Sequence, residues 1–66
     1  MSFGKLLATR YYVACLHALR HDREHAIASL ERVAKSLPKL TASRARVDVD
    51  LESLRDDPRF QRLLRG

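Results

Sequence analysis

The 66-residue sequence has no Trp, one Cys, two Gly and two Pro. A single cysteine cannot close an internal disulfide, so no covalent staple is available and a reducing, cytoplasmic setting is expected. With so few Gly and Pro there are no flexible linkers, and at this length one domain is expected rather than two. β-Branched residues are scarce too: four Val, one Ile and two Thr, without the apolar–polar alternation a strand needs. Long apolar runs are also missing. The longest, Tyr11–Leu16, covers six residues, against the roughly 20 that a spanning helix requires. Val13-Ala14-Cys15 has the outline of a bacterial lipoprotein cleavage box, but Thr9 and Arg10 interrupt the apolar stretch such a signal needs. Neither export nor a membrane partner is expected.

Catalytic motifs are lacking as well. There is no HExxH, no Gly-rich phosphate loop, and no nucleophile elbow around Ser2, Ser29, Ser36, Ser43 or Ser53. Cys15 lies in an apolar helical stretch, where a lone cysteine reads as a small core residue. His17, His21 and His25 recur every four residues, but a helix break at His21–Asp22 would separate them. Asp48, Asp50, Glu52, Asp56 and Asp57 resemble a calcium loop superficially, without its central Gly or its ligand spacing. The expectation is therefore no enzyme, no metal and no cofactor.

Thirteen basic and eight acidic residues leave a net charge of 13 − 8 = +5. That excess is not concentrated. Asp48–Asp57 holds five acids and one Arg, between Lys39, Arg44 and Arg46 on one side and Arg59, Arg62 and Arg65 on the other. An acidic centre between basic flanks repels phosphate, so nucleic acid is an unfavourable partner.

What is present is helical periodicity. A first helix over about Phe3–Arg20 is apolar nearly all round, the mark of a helix covered on more than one side. Asp22 caps a second, with Glu24 in its first turn. Ala26, Ile27, Leu30, Val33, Ala34 and Leu37 form its single apolar face, and Pro38 stops it. The short connection predicts an antiparallel hairpin over residues 1–38. Residues 39–66 read as a helical cap. Lys39–Val47 is expected to form one or two turns with Leu40 and Val47 inward, and Asp50 to cap a turn carrying Leu51 and Leu54. Asp57-Pro58 then opens a last helix with Phe60, Leu63 and Leu64 on one face.

The hairpin resembles a tetratricopeptide repeat, a 34-residue helix–turn–helix closed by Pro. Tyr11-Tyr12-Val13-Ala14-Cys15, Leu19-Arg20-His21-Asp22, Ala26-Ile27, Leu30 and Pro38 carry the likeness. Asp48-Val49-Asp50-Leu51 through Leu54-Arg55-Asp56-Asp57-Pro58-Arg59-Phe60 resembles the segment closing many bacterial members of that family. His21 stands where the family usually has Gly, Arg10 replaces a large aromatic, and His17 a Tyr. The resemblance implies an all-α fold, close packing at Ala14 and Ala26, and a non-catalytic protein-interaction role. It also implies a groove-facing set of Tyr11, Cys15, Ala18 and Leu19, with Tyr12 adjacent, which binds a peptide, a helix or a second copy. These apolar residues do not match the family's Asn and Lys carboxylate clamp. One repeat where such arrays ordinarily have about three implies the end of a longer array or a self-associating module. A purely structural cap, or a small basic nucleic-acid binder, is the alternative.

Overall fold

The computed structural model describes the backbone of residues 3–65 and the side chains of residues 9–65. It is all-α, with no strand among the described residues. Four α-helices, α1 (Phe3–Leu19), α2 (Arg23–Ser36), α3 (Pro38–Val47) and α4 (Pro58–Leu64), are joined by a 3₁₀ helix at Val49–Leu54 between α3 and α4. None is long and apolar enough to cross a membrane.

The reversal between α1 and α2 is built from local chemistry. His21 takes φ of 62°, and the backbone N–H groups of Asp22 and His21 donate to the carbonyls of His17 (2.8 Å) and Ala18 (3.0 Å). This is a Schellman ending, made with His where Gly is preferred. Asp22 then caps α2, its carboxylate accepting from the His25 backbone N–H. The two helices pack as a hairpin, with Ala14 and Ala26 wholly buried. Small residues at these positions let the backbones approach closely.

Leu37 alone connects α2 to α3. Its N–H donates to Val33 and its carbonyl accepts from Thr41, while Pro38 occupies the first turn where no donor is needed. The turn or two expected here is a ten-residue helix. Its inward residues also differ from expectation, because Leu40 is 61% and Val47 74% exposed. Thr41, Ala42 and Ala45 are buried instead. A helix brought directly back onto its predecessor approaches too closely for large side chains, so the small i, i+1, i+4 stripe turns inward and the large residues turn out.

The 3₁₀ helix packs on α1 with Leu51 and Leu54 buried, three residues apart on one face. Its cap is Asp48, whose carboxylate accepts from the Asp50 N–H at 3.0 Å. Asp50, expected to be the cap, is exposed. Asp57 caps α4 as expected, accepting from the Arg59 N–H at 2.8 Å, and Phe60 is fully enclosed. Arg59 ties this tail to the start of α2, with a two-pronged contact to Glu24 at 2.8 and 2.7 Å. The core thus lies where α1, α2 and the cap meet, around Ile27, Leu30, Leu51, Leu54 and Phe60.

Candidate functional site

α1 and α3 form opposite walls of a cleft of about 440 Å³, with Val33 of α2 between them. Tyr12, Leu16 and Leu19 line the α1 wall, and Leu40, Thr41 and Arg44 the α3 wall. Tyr11, Cys15, Asp48 and Asp50 close one end. The volume falls within the roughly 300–1,000 Å³ of ligand pockets.

The cleft is apolar along its length and polar at that closed end. The Tyr11 hydroxyl donates to Asp48 Oδ2 at 2.8 Å, and Cys15 Sγ lies 3.7 Å from the same oxygen. Arg44 sits over the Tyr11 ring, 5.4 Å from its centroid. Burial, then the hydrogen bond to Asp48, pushes the Tyr11 phenol well above its ordinary value. Burial, followed by the charges of Asp48 and Asp50, pushes the Cys15 thiol up to about 11. At neutral pH both groups keep their protons, and a protonated thiol is a poor nucleophile. The network holds α1 to the α3–3₁₀ junction.

Cys15, Asp48 and Asp50 offer donor atoms within 4.8 Å of one another, and no other such trio converges among the described residues. They are the residues able to hold a small cation. However, each Asp48 oxygen already accepts a protein hydrogen bond and Cys15 carries its proton. A cation would have to displace all of these.

The histidines gather elsewhere. The His17 and His25 rings stack at 5.2 Å, and both approach Asp22, at 3.6 and 2.8 Å. His25 foremost holds the Asp22 carboxyl below its usual range. His21 is exposed in the turn, and Cys15 belongs to the Asp48 network. The acidic block is likewise divided. Asp48 and Asp57 cap helices, Glu52 meets Arg55 at 2.8 Å, and Asp56 lies 3.8 Å from Arg23.

Of the groove residues expected from the sequence, Tyr11, Tyr12, Cys15 and Leu19 line the cleft. Ala18, at 2% exposure, lies in the core instead. The whole α3 wall and Asp48 were missing from that expectation. The signal for the wall was present in the 4-residue spacing of Leu40 and Arg44, which places both on one helical face. For Asp48 it was weaker, since Asp48 and Asp50 are both plausible caps by residue type. Thr41 Oγ1 is enclosed in the α3 wall without a hydrogen-bond partner.

No protein-family model, curated protein or solved structure matches the chain.

Proposed function

We propose that the chain is a non-catalytic protein-interaction module of tetratricopeptide type, whose α1–α3 cleft receives an apolar or amphipathic segment. One observation carries the reading. Seven large apolar side chains are exposed, and four of them, Tyr12, Leu16, Leu19 and Leu40, line this one cleft. Scattered exposed leucines need no explanation, but a concave cluster of them favours docking. Helix-in-groove recognition uses such a surface, with anchors spaced at i, i+3 or i+4 and i+7. The residue pattern of the hairpin and of the Asp48–Leu64 tail supports the same family. The tail favours a second reading as well: the chain as a structural lid on further repeats, with no ligand of its own.

Selection of displayed helical peptides against the intact chain, followed by amide chemical-shift mapping, tests the proposal. Converging sequences that perturb Tyr12, Leu16, Leu40 and Thr41 are expected. Peptides that shift only residues on α2 and α4, or a selection that converges on nothing, would reject it in favour of the lid.

A further inference from the structure

The rim of the cleft carries both signs of charge. Arg44 forms no ion pair among the described residues and rests on the Tyr11 ring. The Asp50 carboxylate, on the same rim, has neither an ion pair nor a hydrogen bond among them. Between these charges run the exposed residues Tyr12, Leu16 and Leu19 of α1, spaced i, i+4 and i+7. That spacing makes a single ridge along a helix, the shape that fits a groove between two helices. The same surface therefore presents a ridge, a groove, a free cation and a free anion.

We infer that the occupant of the cleft is a second copy of this chain. The contact is isologous: the α1 ridge of each copy enters the α1–α3 groove of the other, and Arg44 of each faces Asp50 of its partner. A two-fold contact requires that if residue i meets j, then j meets i. A peptide of another protein would require only one charge on the rim, whereas here both are present and unpaired. A chain of 66 residues also has reason to associate, because domains this small bury only about 60% of their unfolded surface. The inference rests on the reading of the cleft as a docking surface and names its partner.

Analytical ultracentrifugation of the intact chain tests it, with circular dichroism confirming that each variant is folded. The wild type should show a monomer–dimer equilibrium with Kd of roughly 1–100 µM, in keeping with a small interface. Leu16→Asp should weaken it on the order of a hundredfold, because it places a charge at the centre of the contact. Arg44→Glu and Asp50→Arg should each weaken it about tenfold or more, since each sets like charges against each other twice. Mixed together, those two charge variants should form a heterodimer near wild-type strength, as every opposed pair is then complementary. No effect within a single chain gives that rescue.

A wild type that stays monomeric to about 1 mM overturns the inference. If peptides still dock in the cleft, the proposed function survives that failure. A dimer indifferent to Leu16→Asp uses another face and also overturns it. Weakening by both charge variants without rescue on mixing removes the reciprocal pairing, and the inference with it.

Discussion

The two flanks of α1 are finished differently. The flank facing α2 and the cap is dry and fully covered: Ala14, Ala18, Ala26, Leu51 and Leu54 are each 2% exposed or less. The flank facing α3 leaves Tyr12, Leu16 and Leu19 open, with polar contacts only at the Asp48 end. One side of the helix is satisfied by the chain's own residues, and the other only in part. A helix apolar nearly all round is thus not a fully buried helix here. Its surplus apolar surface is concentrated on one cleft, which separates the residues that stabilise the fold from those free to meet a partner.

The strongest way to break this contrast is Phe60→Ala. It empties the covered flank at its most enclosed large side chain, and removing a buried Phe costs about 3–5 kcal/mol. A domain of this size has little more to lose, so urea denaturation should show a midpoint near zero or no cooperative transition. A variant retaining most of the wild-type midpoint would mean that the cap contributes little to the core.

Tyr11→Phe reaches the polar end of the open flank. It deletes the 2.8 Å hydrogen bond to Asp48 and should cost about 1 kcal/mol, typical of one such bond. The same change should speed alkylation of Cys15 by loosening the junction. Equal alkylation rates in the two proteins would show that the hydrogen bond does not hold the cleft end closed.

Acid sharpens the contrast from the covered side. Arg59 hydrogen bonds hold Glu24 and Asp57 below their ordinary values of 4.5 and 3.8. Both carboxylates bind protons more weakly in the folded chain than in the unfolded one. Their contribution is complete above those ordinary values and disappears as pH falls through the lower folded ones. Melting temperature should therefore drop on acidification, and Arg59→Gln should flatten that drop. Parallel curves for the two proteins would place the acid sensitivity elsewhere. The effect is modest, since Glu24 and Arg59 are solvent-exposed in part and screened.

The smallest effect has the opposite sign. Thr41→Val keeps the shape of the side chain and removes a hydroxyl that has no partner. Stability should rise by about a few tenths of a kcal/mol, because an unsatisfied buried group carries a desolvation cost. A loss of stability would reveal a hydrogen bond at Thr41. On the covered flank no substitution should behave this way.

Much of the fold was legible from local signals. Asp22, Asp57-Pro58 and the Leu37-Pro38 step act through their immediate neighbours, so their spacing alone located helix ends. His21 marked the left-handed turn by standing in a position that Gly usually fills. α3 was not legible, because its inward face depends on how closely α2 lies behind it. Hydrophobicity pointed Leu40 and Val47 inward, and steric room placed Thr41, Ala42 and Ala45 there instead. The cleft was half legible for the same reason. Its α1 wall follows from helical periodicity, whereas its α3 wall and the Asp48 network follow from tertiary placement. The exchange of capping duty from Asp50 to Asp48 is a two-residue difference that residue type cannot resolve.

The grip of Arg59 on Glu24, and the seat of Phe60 beside it, also bear on the order in which the chain takes shape during synthesis. These contacts join residues 35 positions apart. The hairpin leaves the ribosome first, with the apolar faces of Ile27 and Leu30 still wet, since their cover at Leu51, Leu54 and Phe60 has yet to be made. At about 5–20 residues added per second, that interval lasts some seconds. The seam between α1 and α2 cannot dry until Phe60 has emerged, so the molecule reaches its folded state at the close of translation rather than helix by helix along the way.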